Sequence, residues 1–247
     1  MRQRCKKLRA LVRLVRPAFR SYREENAAFR DIAGLFSGLR DAEVVQALYD
    51  DLAACSAAPP VRHHSAEPES AYGAGVDDAF EEARRRLSAA RGRAQAWQLD
   101  EDGWKAVRRG LVKTYARARR AMKEAVEAPS GERYHAWRKA VKYHWYQSRL
   151  LKAAWPCEMK PRAKLARELS DALGQHHDLF VLERRLAEDP HSLGAGSAAK
   201  GVINLARQRR AALEQRAAHL GERLLSDKPD TLASHLRQSR VFGSGLP

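Results

Sequence analysis

The 247-residue sequence predicts an all-α protein. Apolar residues recur at spacings of three and four along nearly the whole chain, which is the period of a helix face, and no useful length alternates as a strand would. Pro, Gly or Ser interrupts these runs, as expected where helices stop. Residues 2–16 put Leu8, Leu11, Val12 and Val15 on one face and end at Pro17. Residues 24–36 form a second run through Ala28, Ile32, Leu35 and Phe36. Asp41 reads as the N-cap of a helix over 42–54 with Val44, Val45 and Leu48 inward. Residues 55–74 lack periodicity and carry Pro, Ser and Gly, so they read as a linker. A helix over 76–97 follows, then a long one over 104–128 stopped at Pro129-Ser130-Gly131, and another over 132–155 stopped by Pro156. Shorter helices over 162–173 and 179–186 precede a Gly/Ser stretch at 193–196. A last long helix spans 198–225, and the tail after Ser226 carries little signal. Such a set of helices packs as bundles.

An internal repeat organises these helices. Arg2-x-x-x-Lys6, heading a helix that ends at Pro17, matches Arg138-x-x-x-Lys142, heading one that ends at Pro156. Phe36-Ser37-Gly38-Leu39-Arg40-Asp41-Ala42-Glu43-Val44 matches Leu173-Gly174-Gln175-His176-His177-Asp178-Leu179-Phe180-Val181. The offsets are 136 and 137 residues, a single-residue slip over a whole unit. The expected architecture is two pseudo-symmetric helical bundles, an N-terminal half over 1–99 and a C-terminal half over 100–247. The 104–128 helix precedes the Arg138 helix, and no counterpart precedes Arg2. The reading is therefore that the sequence starts inside its first repeat, one helix short, with apolar side chains of the first bundle left uncovered.

Composition narrows the partners. Lys plus Arg number 46 against 30 Asp plus Glu, a formal net charge of +16. With 44% hydrophobic residues a sizeable core is available, and Gly 15 and Pro 10 exclude a loop-dominated chain. The three cysteines, Cys5, Cys55 and Cys157, share no metal-ligand spacing and form no disulfide framework, which fits a reducing compartment. No charge-free run approaches the ~20 residues of a membrane span, and arginines interrupt the basic N-terminus where a signal peptide needs an apolar core. The expectation is a soluble, cytoplasmic protein that meets polyanions.

The arrangement of charge is more telling than its sum. The first 23 residues hold nine basic side chains and no acid. Arg2, Lys6, Arg9, Arg13 and Arg16 are spaced four, three, four, three and share one helix face. Lys105, Arg109, Lys113, Arg117 and Arg120 repeat the device. His135, Arg138, Lys142 and Arg149 form a third stripe, crossed at its middle by Trp145 and Tyr146. Like charges one turn apart destabilise a helix by a few tenths of a kcal/mol per pair. A solubility coat would intersperse acids, as Phe80-Glu81-Glu82-Ala83-Arg84-Arg85-Arg86 does. Unrelieved stripes point to phosphate, which Arg grips bidentately and Lys neutralises as a point charge. The sequence carries no zinc-finger spacing, helix-turn-helix punctuation, RNP-like strand or GxxxxGK[ST] loop. Repeated negative charge is thus the expected target, and non-specific nucleic-acid binding satisfies the same physics.

His135-x-x-Arg138-x-x-x-Lys142 with an adjacent aromatic, Tyr115-Ala116-Arg117-Ala118-Arg119-Arg120, and the corners Ser37-Gly38-Leu39-Arg40-Asp41 and Gly174-Gln175-His176-His177-Asp178 together resemble the CHAD family, the conserved histidine α-helical domain. The resemblance spans nearly the whole chain. It implies two pseudo-symmetric helical bundles around a basic channel that binds inorganic polyphosphate without catalysis or cofactor, and association with polyphosphate granules. The His expected three residues before Arg2 falls ahead of Met1, and His177 stands where the family usually has Arg or Asn. The site residues so implied are Arg2, Lys6, Arg9 and Arg13 on one wall, and Arg138, Lys142 and Arg149 on the symmetric wall. Lys113, Arg117 and Arg120 line the adjoining helix, with Tyr115 bonding phosphate or buttressing the arginines. His135 adds a donor that strengthens when protonated. An alternative enzyme reading takes the His177-Asp178 doublet, with His135, His144 and Asp230, as the metal site of an HD-type phosphohydrolase. The simpler account makes Asp41 and Asp178 equivalent N-caps and needs no metal. His63-His64 read as solvated linker residues, the five tryptophans as core, and no Ser/His/Asp or Cys/His signature of a nucleophile is present.

Overall fold

A computed structural model describes residues 1–55, 73–191, 193 and 198–242, with side chains at 37–43, 73–75 and 240–242 outside the description. Among the described residues the chain forms nine helices and no strand. They are α1 (Arg2–Leu14), α2 (Tyr22–Gly34), α3 (Ser37–Cys55), α4 (Gly73–Ala94), α5 (Gly103–Glu127), α6 (Gly131–Leu151), α7 (Pro156–Glu188), α8 (Ala199–Leu225) and α9 (Pro229–Phe242). No described helix is long and apolar enough to cross a membrane. His63-His64 and most of the Gly/Ser stretch at 193–196 lie outside the described residues.

The all-α class holds, and local chemistry moves several boundaries. Ser130 caps α6, its hydroxyl accepting from the Arg133 N–H at 3.2 Å. Pro156 does not close α6, which ends earlier at Leu151; it opens α7, where the N–H that proline lacks has no helical partner to lose. The two short helices expected over 162–173 and 179–186 are one, because α7 runs unbroken through Gly174. Leu169 and Leu173 before the corner and Leu179, Leu182 and Leu186 after it keep helical spacing and are all buried. That packing outweighs the ~1 kcal/mol by which a mid-helix Gly falls below Ala. Asp178 therefore sits inside a helix and is no N-cap. Asp41 also lies within its helix, since α3 already begins at Ser37; the side chains of that first corner lie outside the described residues. The tail after Ser226 holds α9, anchored by Leu232, Ala233 and Leu236 and by the Trp155 indole N–H, which donates to the Leu236 carbonyl at 2.7 Å.

Among the described residues, three apolar clusters form the core. The largest joins α5 to α9 around Leu111, Tyr115, Trp137 and Leu169. A second packs Val45, Tyr49 and Leu52 of α3 on Leu182 and Leu186 of α7 and Val202 of α8. The third gathers α1, α2 and α4 around Cys5, Val12, Phe29 and Ile32, beside a Glu25 carboxylate buried against Arg93. The tryptophans serve these cores: Trp137 and Trp155 are buried, and Trp97, Trp104 and Trp145 pack on them in part.

What positions the functional surface is the seating of α1. Its backbone presses on Gly110 of α5, where an added methyl would fall 1.8 Å from the Leu14 carbonyl oxygen. On its other flank the Gln147 side-chain amide of α6 donates to the Ala10 carbonyl at 3.2 Å. Only glycine permits the first approach.

Candidate functional site

The cationic faces of α1 and α6 meet along a seam. Arg9 and Arg13, one turn apart on α1, both set their guanidinium groups over the Tyr143 ring of α6, 5.7 and 4.5 Å from its centroid. The ring's negative face attracts them by about 1 kcal/mol each. The Arg9 Nε also donates to the Asn26 side chain at 3.3 Å. Further along α6, Trp145 carries Lys142 at 6.0 Å and Arg149 at 5.6 Å. Beside it, the buried Tyr146 hydroxyl meets Gln3 of α1 and feels Arg149 and Arg138.

On its other side α6 meets α7. The His135 ring stacks on His177 with centroids 4.1 Å apart and planes 27° from parallel. Arg138 lies along α7 at Gly174, where a methyl would come within 3.6 Å of its Nε. His176 faces away, its Nε2 2.9 Å from the Glu214 carboxylate and its ring against Tyr134 at 4.3 Å. Successive helix residues point about 100° apart, so neighbouring histidines serve different surroundings. Among the described residues no three His, Cys, Asp or Glu side chains gather as a metal ion would require.

Some arginines outside the seam hold carboxylates: Arg85 and Arg86 share Glu82, Arg207 and Arg210 share Glu183, Arg209 holds Asp51 and Arg162 holds Asp227. Among the described residues, the ion pairs include none of Arg9, Arg13, Arg138 and Arg149. The Nε donors of Arg13 and Arg138 are buried without a hydrogen-bond partner. Burial pulls the Arg9 pKa down, and the neighbouring Arg13 and Arg30 add to it. His135 is lowered to about 4, first by burial and then by His177, Lys139, Arg138 and Lys6.

The expected site residues divide accordingly. Arg9 and Arg13 share the Tyr143 ring, Lys142 and Arg149 share the Trp145 ring, Arg138 and Arg149 both act on Tyr146, and Arg138 and Lys6 both act on His135. Arg2 is half-buried at the start of α1. Lys113, Arg117 and Arg120 are exposed on α5, and among the described residues no hydrogen bond, ion pair or ring contact ties them to the seam. Arg120 lines a groove with Arg119, Lys123, Glu127, Glu222 and Pro229, towards α8 and α9. Tyr115 requires a correction. It is 0% exposed in the main core, donates its hydroxyl to the Asp227 carbonyl at 3.0 Å, and carries Arg162 over its ring at 5.5 Å. It neither reaches phosphate nor supports the α5 arginines of the stripe. Tyr143, the ring that seats both α1 arginines, escapes sequence reasoning because its role exists only once α1 lies opposite α6.

Against known proteins, the family model of the CHAD domain matches residues 1–187, about three-quarters of the chain. No curated protein and no solved structure matches it.

Proposed function

The chain belongs to the CHAD family, and from that premise we propose that it binds inorganic polyphosphate, without hydrolysing it, along the cationic seam between α1 and α6. One observation carries the reading. Among the described residues Arg9, Arg13, Arg138 and Arg149 have no carboxylate partner, and aromatic faces rather than acids hold Arg9, Arg13 and Arg149, which supports pairing with an incoming anion. In polyphosphate every unit bears oxyanions and no base edges, which matches a row of guanidinium and ammonium groups with no base-reading device. Lys6, Arg9 and Arg13 of α1 and Arg138, Lys142 and Arg149 of α6 supply the two walls, with Arg2 at the head of α1. His135 is a further donor, and the exposed Lys113, Arg117 and Arg120 extend the positive field. The chemistry needs no cofactor.

The seam becomes the floor of a basic channel if residues 1–99 and 100–247 form pseudo-symmetric halves. Supporting this, Gln147 and Ala10 are bonded 137 residues apart, the same separation as the matched corner motifs. Equivalent points of two repeats touch where a pseudo-two-fold axis passes. A cytoplasmic protein of this kind associates with polyphosphate granules by virtue of the ligand itself.

Competition tests the function: labelled long-chain polyphosphate is displaced by pyrophosphate, duplex DNA or RNA at equal phosphate concentration. Unlabelled long-chain polyphosphate is expected to displace the label at the lowest concentration. Equal displacement by duplex DNA would favour a nucleic-acid-binding protein instead.

A further inference from the structure

We propose that the stacked His135–His177 pair is a proton-linked part of the anion site, so that binding polyphosphate draws a proton onto His135 and tightens as pH falls. This rests on the polyphosphate reading above, and adds to it a second ring, on α7, that sequence motifs leave without a role.

The geometry carries the argument. Two imidazoles stacked at 4.1 Å coexist readily when neutral, but two imidazolium ions at that distance repel. The charged groups that act on His135 are Lys6 from α1, Arg138 and Lys139 on α6, and His177 from α7, all of them cations when ionised. Without an anion, burial first and this field second keep His135 neutral at pH 7. It contributes one N–H at most, and its Nδ1 is buried with no hydrogen-bond partner.

A polyphosphate segment lying across Arg138 and Lys6 changes the sign of that field. Its oxygens are acceptors only, so they match an imidazolium, which donates from both nitrogens, better than a neutral ring. A proton then passes from the buffer to a ring nitrogen of His135, and no bond to phosphorus forms or breaks. Bound anion and bound proton stabilise each other, and by linkage the affinity must rise as protons become available. The effect spans the interval between the pKa of the bound state and the lower one of the free state, with about 4 as its lower end for His135. The arginines and lysines are charged throughout that interval and contribute no protons.

The test is calorimetric titration of the full chain with long-chain polyphosphate, whose titrating end groups are a negligible fraction. Buffers of different ionisation enthalpy, at pH 7.5 and at pH 6 and constant ionic strength, report the protons taken up. Net uptake on binding is expected, with affinity gaining up to about tenfold per pH unit for each proton bound. The double variant His135→Gln with His177→Asn should bind more weakly than wild type, take up no protons and lose the pH dependence. Should the double variant fold poorly, His135→Gln alone is expected to abolish the proton uptake. Tight binding with no proton uptake, or a pH profile that these substitutions leave unchanged, overturns the inference while leaving polyphosphate binding intact. Failure of the wild-type chain to bind at either pH overturns the underlying reading and this inference with it.

Discussion

His144 lies wholly within the core, edge-on to Tyr115 at 5.4 Å, and neither ring nitrogen has a hydrogen-bond partner. Leaving a buried polar group unsatisfied costs about 1–3 kcal/mol. Burial, and then the charge of Arg162, pulls its pKa down to about 3. The unfolded chain takes up a proton near the ordinary value of 6.5, and the folded chain refuses it until about pH 3. Stability is therefore fully present above pH 6.5 and drains away as pH falls towards 3, by about 1.4 kcal/mol per pH unit for each proton bound only by the unfolded state. His135, lowered to about 4, acts with the same sign over the upper part of that window. We predict that the urea midpoint falls steadily from pH 7 to pH 4.5, and that His144→Leu is at least as stable as wild type at pH 7 with a shallower decline. Parallel pH profiles for the two proteins would show that His144 is not what acid attacks. At this same scale Tyr115 shows where sequence stops informing. A tyrosine amid a run of arginines invites a binding role, but its register on α5 turns it inward to the Asp227 carbonyl.

α1 is an unfavourable helix by itself. It begins with no acid in its first turn to complement the N-terminal dipole and carries like charges at every turn of one face. Docking must hold it, and Gly110 of α5 is where docking is closest. Gly110→Ala, which would bring a methyl within 1.8 Å of backbone, should cost about 3 kcal/mol or more, lower the thermal midpoint and weaken polyphosphate binding together. Gly92→Ala in α4, with nothing within 4 Å of the new methyl, should instead raise stability by up to ~1 kcal/mol and leave binding alone. Equal behaviour of the two variants would refute this account of how α1 is seated. The contrast also measures what is legible in a sequence. Apolar spacing locates most of the helices here because each must bury one stripe. It misplaces the break at 174–178, where Gly174 and Asp178 mimic a corner while leucines on both sides of them continue inward. It passes over α9, whose short signal of Leu232 and Leu236 gains meaning only from the core beneath it. The stripes on α1 and α6 are readable since they are periodic. Their meeting across Tyr143, and the divergence of the α5 stripe, depend on packing that no local pattern encodes.

For the whole molecule the question is whether +16 of net charge acts as a diffuse coat or as a site. A binding module should leave its ligand whole. Purified protein is expected to release no phosphate from polyphosphate with Mg²⁺ or Mn²⁺ present, and release abolished by His177→Ala would point to a phosphohydrolase. Salt dependence separates coat from site. Each phosphate neutralised on a single-stranded polyanion contributes roughly 0.7 to the slope of log affinity against log salt, so engagement of Lys6, Arg9, Arg13, Arg138, Lys142 and Arg149 implies a slope of about −4. Reversing Arg138 and Lys142 to Glu removes two of these contacts and sets carboxylates among the remaining cations. Reversing Arg84 and Arg85 to Glu lowers the net charge by the same amount, but on the outer face of α4, where those arginines already sit beside Glu81 and Glu82. A diffuse coat responds to net charge alone and predicts equal losses from both variants. The seam predicts that the first variant loses at least a hundredfold in affinity and flattens the salt slope by one to two units, whereas the second keeps the wild-type slope and loses only severalfold, on the order expected of a distant screened charge. Fluorescence anisotropy of labelled polyphosphate across a salt series reads both quantities at once. Coincident curves for the two variants would mean that the arginines gathered on Tyr143 and Trp145 are no different from those on the surface, and the seam would have to be abandoned as the site.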